Sequence, residues 1–455
     1  MRYSLFRKRK KAPPLVAGTK ADPARGIERL QAGRLASLAL SLTAELVEQL
    51  GPRPSGSEAS QLTAEVLAEH FTPFCDETEV TSTPISYTFH TLPLRMLVIL
   101  YPVLLLLLLG NLAPVSLALF LLFGAWVYYT RYSYRTLARP LEKQGEGANV
   151  HGVINPAGEV EHTLIFSAHH DSAPLYRYQR LHRAAYLKKV GLPIVLFSLV
   201  GLLSIVQLVT ARTFGFGVLL LLLLLLTPLV VPLWNFYDTK VSPGAGDNLN
   251  SASMLVQLAR YWRWKRERGE PLQRTRLIFV SFDGEELGLQ GSRHWYSEHT
   301  ELTEKAVVLN FDAIYYADSL TFLERDANAT LSLDTELARR CVAISHAMGY
   351  PAISESIPRL GGASDAASAS RAGLSATTLT AVGWGEGTKA SVWHTEKDTV
   401  DAIEEQAVER SLSVAIRLAE EIDAKEKQQE PLLEEVVTKE EKEHTGLRFG
   451  RLTPR

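Results

Sequence analysis

Residues 163–172 read Thr163-Leu164-Ile165-Phe166-Ser167-Ala168-His169-His170-Asp171-Ser172. A short apolar run that ends abruptly in titratable groups is the pattern of a buried strand whose carboxyl end carries a site. Similar apolar runs occupy residues 276–280, 306–309 and 376–379. Two of these also end in acids: residues 276–282 lead into Asp283-Gly284-Glu285-Glu286, and residues 306–311 into Asp312. Helical stripes alternate with the strands. One is Met254, Leu255, Leu258, Ala259 and Trp262, and another is Val408, Leu412, Ala415, Ala419 and Ile422. A third, Leu337, Cys341, Ile344 and Met348, is closed by Gly349 in the position of a C-terminal cap. Ser57 precedes a further helix through Leu62, Val66 and Leu67. The alternation predicts one α/β domain of about 300 residues, beginning before residue 93.

Two apolar blocks interrupt that domain. Of 455 residues 46% are hydrophobic, enough for a large core, but eight successive leucines, Leu219 to Leu226, do not belong to a uniform soluble globule. The first block, residues 96–129, has no charge and breaks at Gly110-Asn111-Leu112-Ala113-Pro114, leaving halves of roughly 15–17 residues, short for a bilayer span. The second splits into 190–210 and 214–234, each near the usual span of roughly 20 residues. Four transmembrane helices in two hairpins are therefore predicted, the first hairpin with a re-entrant alternative. Trp126, Tyr128, Tyr129 and Trp234 sit at predicted ends, as an aromatic belt requires. The hairpin turns hold one basic residue, Arg212, whereas Arg95, Arg131, Arg135, Lys188 and Lys189 crowd the opposite flanks. This asymmetry and an even number of crossings place every hydrophilic part in the cytoplasm. The predicted division is a basic tail 1–26, catalytic parts 27–92, 131–189 and 236–423, membrane hairpins 93–130 and 190–235, and a charged tail 424–455.

The remaining composition excludes several classes. A net charge of −2 gives no reason to expect a nucleic-acid partner. Two cysteines, Cys75 and Cys341, rule out a disulfide scaffold and a cysteine-rich zinc module. The apolar spans carry no charge that could form an ion path, which disfavours a transporter. The lipid bilayer is the expected partner of the apolar spans.

Two loops complete the set of acids and histidines: Pro243-Gly244-Ala245-Gly246-Asp247-Asn248, and Trp393-His394-Thr395-Glu396-Lys397-Asp398-Thr399. Carboxylates and neutral imidazoles converging without cysteine suit a divalent metal, zinc above all. A carboxylate such as Asp247 can bridge two ions. Adjacent Glu285 and Glu286 can divide the work, one ligating and the other holding a water. Taken singly, Glu-Glu reads as a solvated face and an Asp after a strand as a helix cap; the set points to one crevice.

In this order the stretches resemble metallopeptidase family twenty-eight, the double-zinc aminopeptidase and glutamate carboxypeptidase type. His169-His170-Asp171-Ser172 resembles its H-x-D-S element, and Phe282-Asp283-Gly284-Glu285-Glu286 its F-D-x-E-E element. His394-Thr395 with Asp398-Thr399 resembles H-T-x-x-D-T, and residues 50–57 resemble the family's opening segment. The resemblance implies a zinc-exopeptidase-like sandwich, a mixed and mostly parallel sheet between helices. It implies two zinc ions, one held by His169, Asp247 and Asp312, the other by Asp247, Glu286 and His394. Glu285 would be the general base for a metal-bridged water, and Asp171 would orient His169. His170 falls on the other face of an extended strand and is read as structural, as are His294, His299 and His346. Three departures stand out. Trp393 replaces the tyrosine that often polarises the scissile carbonyl, Ser364-Asp365-Ala366 lacks the histidine of an S-D-H element, and residues 170–246 form an unusually long connection. Because the link from the second hairpin to Asp247 reaches at most about 40 Å, the site rim is expected near the bilayer surface.

The first functional reading is thus a membrane-anchored zinc aminopeptidase, with peptide substrates as the partners the resemblance implies; the metal constellation is shared with carboxypeptidases. A non-catalytic receptor or assembly subunit would be expected to lack ligands, and none is missing. A glutaminyl-cyclase-like enzyme would hold one zinc.

Overall fold

The computed structural model describes residues 23–135, 144–178, 183–210, 214–383 and 392–424. Arg212, most of the basic tail expected over 1–26, and all but the first residue of the charged tail expected over 424–455 lie outside the described residues.

The main sheet is built from β1 (Glu77–Ser86), β2 (Gln144–Ile154) and β3 (His162–His169), followed after a small ribbon by the later strands. The ribbon is β4 (Pro174–Tyr176) paired antiparallel with β5 (Tyr237–Val241). The rest of the main sheet is β6 (Thr275–Phe282), β7 (Val307–Ile314), β8 (Leu320–Asp326), β9 (Leu331–Ser332), β10 (Ala352–Ser356) and β11 (Ser375–Ala381). The order is β1-β2-β6-β3-β7-β11-β8-β10, with β9 against β8. Its centre, β6-β3-β7-β11, is parallel. All four apolar runs read from the sequence are these central strands. Their burial on both faces is why they carry few polar residues. Phe166, Phe279 and Phe311 stack across β3, β6 and β7 at 5.9 and 6.1 Å and are fully buried. Each contributes roughly 1.5–3 kcal/mol by leaving water.

Helices cover both faces. One core joins α1 (Pro23–Leu50), α2 (Glu58–Phe71), α8 (Asn250–Glu267), α10 (Thr335–Ala347) and α12 (Glu405–Asp423) to the sheet. The other face carries α9 (Gln290–Glu298) and α11 (Ala366–Arg371). The three stripes are α8, α10 and α12. Gly349, at φ +80°, follows α10, and Ser57 caps α2 by accepting from Ser60 N–H.

The apolar blocks differ from expectation in a specific way. The first hairpin is the more regular one. Its helices α3 (Thr91–Leu109) and α4 (Ala113–Val127) gain length beyond the apolar run, and α4 continues through a π-turn to Tyr132. Both reach spanning length, Thr91–Leu109 and Ala113–Tyr132, so the short halves inferred from composition are corrected. In the second, α5 (Arg183–Tyr186) runs through a π-turn into α6 (Leu192–Val209), and Leu187–Val209 is of spanning length. The fourth predicted transmembrane helix is not one helix. Its first part, α7 (Phe214–Leu225), breaks, and Gly215–Leu225 and Thr227–Asn235 meet at 43°. Pro228 and Pro232 explain the break, since neither can donate to the preceding turn. Three helices are therefore long and apolar enough to cross a membrane, and the fourth segment is a bent pair.

The two hairpins pack as one bundle. Ser116 and Ser204 hydroxyls meet at 2.9 Å, and Gln207 Nε2 donates to the Leu108 carbonyl (3.0 Å) and Asn111 Oδ1 (3.1 Å). At the bundle's foot Arg95 lies over Trp234 (5.4 Å), Arg131 over Phe89 (4.1 Å) and Lys189 over Tyr178 (5.3 Å). The basic residues that set the predicted orientation are thus packed on aromatic rings beside the α/β domain.

Candidate active site

The carboxyl ends of β3, β6 and β7 and two loops converge as the sequence predicted. His169 ends β3, Glu285 and Glu286 follow β6, and Asp312 lies near the end of β7. Asp247 and His394 come from the two loops. His169 Nε2 lies 3.4 Å from Asp247 Oδ1, while His394 Nε2 lies 3.1 Å from Asp247 Oδ2. The two oxygens of one carboxylate thus face different imidazoles. His394 Nε2 is 3.3 Å from Glu286 Oε1, and His169 Nε2 is 3.7 Å from Glu285 Oε2. His169, Asp247 and Asp312 form one group whose ligand atoms lie within 4.8 Å of one another; Asp247, Glu286 and His394 form a second.

Backbone contacts explain the precision. Asn248 donates from Nδ2 to the Phe311 carbonyl (2.8 Å) and accepts from Ala313 N–H (3.3 Å), tying the Asp247 loop to β7. Asp398 accepts from the N–H of Gly246 (2.8 Å) and Asp247 (3.3 Å). Asp171 Oδ1 stands 3.2 Å from His169 Nδ1, and its carboxylate also accepts from Ser55 (2.6 Å) and from the N–H of Glu285 and Glu286. One buried acid therefore holds a histidine and the Glu-Glu turn together. Asp283 does the same for the domain's opening segment, accepting from Gly56 N–H (3.0 Å) and Ala148 N–H (3.2 Å).

The electrostatics show what this cluster lacks. Burial, then neighbouring carboxylates, pushes Glu285 and Asp312 well above the usual carboxylate range, and burial raises Glu286 as well. Burial opposes charge on His169 and His394, yet the surrounding carboxylates outweigh it; His394 is raised to about 10. Burial would raise Asp247 too, but His169 and His394 hold it low. Crowded carboxylates that must retain protons, beside imidazoles that must gain them, are a site short of positive charge. Divalent cations would supply that charge, and the nitrogen and oxygen donors fit zinc.

His170 points to the opposite face, 2.9 Å from Ser281 Oγ, and His346 Nε2 meets the Ala352 carbonyl at 2.8 Å. Two more groups among the described residues come within metal-ligating reach: His169, Glu285 and Glu286, which shares residues with the first two, and Glu79, His151 and His299, which stands apart. Trp295 Nε1, which can only donate, donates to His151 Nδ1 (3.3 Å). Neutral His151 therefore carries its proton on Nε2, the nitrogen facing Glu79 at 3.8 Å, and has no lone pair there for a metal.

Asp247, Glu285, Glu286, Asp312 and His394 open on a cavity of about 280 Å³. His90, Tyr134, Tyr176 and Tyr237 line it, residues the sequence did not single out. They have no motif, and the only available signal was their closeness to the ends of the apolar blocks. Tyr176 Oη lies 3.3 Å from His394 Nδ1, and His90 Nε2 lies 2.5 Å from the Glu286 carbonyl. Ser364 bonds Asp326 (2.6 Å) and Thr378 (2.5 Å) at the cavity edge, while Ala366 is buried in the core.

The fold is similar to that of solved zinc exopeptidases. The chain is similar to a Zn-dependent exopeptidase from Parabacteroides distasonis, at 13% identity over 84% of this chain and 97% of that one, TM-score 0.51. It is similar to BSAP, a zinc aminopeptidase from Bacillus subtilis, at 15% identity over 87% and 96%, TM-score 0.50. It is also similar to a glutaminyl cyclase from Bacteroides thetaiotaomicron bound to N-acetylhistamine, at 13% identity over 86% and 98%, TM-score 0.50. At such identities the likeness is one of fold. The family whose model matches is Peptidase family M28, over residues 231–419. A search among curated proteins finds no match. The matched stretch contains Asp247, Glu285, Glu286, Asp312 and His394. His169 and Asp171 lie before it, across the second apolar hairpin, and folding brings them in.

Proposed function

We propose that the chain is a membrane-embedded dinuclear zinc aminopeptidase with its catalytic domain on the cytoplasmic side. The observation that carries the reading is Asp247, whose two oxygens face His169 and His394 separately. His169, Asp247 and Asp312 would hold one ion, and Asp247, Glu286 and His394 the other. Zinc bound there would acidify a water and polarise the scissile carbonyl. Glu285 takes the proton of the attacking water and returns it to the leaving amine, a contribution of roughly 10²–10⁴-fold. Asp171, 3.2 Å from His169 Nδ1, favours the proton on that nitrogen, so that Nε2 keeps its lone pair for a metal. The aromatic and basic foot of the bundle supports a site at the bilayer surface.

Metal analysis of detergent-purified protein, with a panel of free and N-blocked peptides with and without chelator, tests the reading. About two zinc ions per chain and chelator-sensitive cleavage of free peptides alone are expected. Equal cleavage of blocked peptides would remove the aminopeptidase label. One zinc with cyclisation of N-terminal glutamine would select the glutaminyl-cyclase alternative.

A further inference from the structure

The cavity wall is made from the feet of the apolar helices. His90 directly precedes α3, Tyr134 follows the π-turn of α4, and Tyr176 and Tyr237 pair on the ribbon that brackets the second hairpin. Two of the four are already bonded, Tyr176 to His394 and His90 to the Glu286 carbonyl, while the Tyr237 ring stacks on His90 at 5.1 Å and its phenol feels Glu286 most among the acids. Tyr134 is set apart by its backbone and by the acid its phenol feels most, Glu285. Its φ is +51°, a left-handed conformation that a tyrosine keeps only where neighbours impose it. The neighbours are identifiable. Asn328 Nδ2 donates to the Tyr132 carbonyl (2.8 Å) and Arg371 to the Ser133 carbonyl (2.6 Å), pinning the helix exit to the α/β domain. The hydroxyl thus directed at the cavity has no hydrogen-bond partner among the described residues. Burial, then Glu285, keeps the phenol far from ionising, so it holds a proton to share.

Hydrolysis needs such a group. As water attacks, the carbonyl oxygen gains negative charge, and a preorganised donor at that point lowers the barrier. The Ser364 and Thr378 hydroxyls are bonded to each other, and Trp393 offers no hydroxyl and lies edge-on to His394, their ring centres 4.2 Å apart. We propose that Tyr134 is a catalytic residue, its hydroxyl donating a hydrogen bond to the scissile carbonyl oxygen as that oxygen becomes an oxyanion. The first apolar hairpin therefore completes the active site. The proposal rests on the peptidase reading above. No proton leaves Tyr134; the C–N bond breaks as Glu285 delivers its proton to the amine.

The test uses full-length, zinc-loaded protein in detergent. Tyr134→Phe should keep its zinc and its KM while kcat falls about 10²–10³-fold. Its affinity for a dipeptide phosphonate, which presents a tetrahedral anion at the reacting position, should fall by a similar factor, and affinity for the product amino acid should not. Tyr128→Phe, an exposed ring on the same π-turn, should behave as wild type. Wild-type kcat in Tyr134→Phe, or equal loss of phosphonate and product binding, overturns the proposal. Should that variant fail to fold, 3-fluorotyrosine at position 134, a more acidic donor, should change the affinity for the phosphonate and leave that for the product amino acid as it is, and an unchanged phosphonate affinity is equally damaging. A zinc-loaded wild type that neither cleaves peptides nor binds the phosphonate overturns the underlying peptidase reading instead.

Discussion

At the scale of single residues, the acids and histidines that cluster were legible because each follows a strand or opens a loop with a recognisable pattern. The groups that hold them were less so. Asp398 and Asn248 act through backbone contacts made across more than 60 residues of sequence, for which spacing gives no cue. Glu285→Gln should retain both metals yet lose roughly 10²–10⁴-fold in kcat, measured beside zinc content. Asp171→Asn should weaken zinc retention about 10–100-fold in a chelator competition, because His169 loses its orienting acceptor. His151 supplies a prediction about stability. Burial, then His299, lowers it from 6.5 to about 4. Above 6.5 it is neutral in both states and its stabilising contribution is fully present. As pH falls from 6.5 toward 4 the unfolded chain binds a proton that the native state resists. Up to about 3 kcal/mol is lost across that window. His151→Gln should flatten the slope of melting temperature against pH there; an unchanged slope would exclude His151 as its source.

At the scale of elements, composition located the apolar helices and misjudged their lengths. The polar residues Thr91 and Arg95 continue α3, and Thr130 to Tyr132 continue α4, because a helix does not end where its apolar residues do. In the second hairpin the poly-leucine run looked decisive, and prolines at its end imposed the 43° bend. What no composition could show is the contact between the hairpins. A Cβ on Gly201 would stand 2.5 Å from the Phe120 ring, so α4 and α6 approach closely only because that side chain is absent. Gly201→Val should destabilise the bundle by about 1–3 kcal/mol, read as a lower melting temperature in detergent. Phe120→Ala in the same chain should recover part of the loss. Absence of any recovery would mean that the steric conflict lies elsewhere.

At the scale of the whole molecule, the hairpins are insertions at two edges of one site. The first separates adjacent strands β1 and β2, and the second leaves and returns through the β4–β5 ribbon. The ribbon matters for experiment. Pro174 pairs with Val241 and Tyr176 with Tyr237, so the second hairpin departs from points already held together. A short turn replacing residues 179–234 can therefore close the ribbon without moving Tyr176 from His394. The shortened protein should keep its zinc and hydrolyse small soluble peptides at a rate within about tenfold of the full chain. If the hairpin serves to hold the site where substrates lie, cleavage of peptides anchored in vesicles should fall far more steeply. Equal rates on anchored peptides would show that the second hairpin does not deliver substrate. Loss of zinc would show that its foot, through Tyr237 and the packed aromatic rings, is needed to build the site.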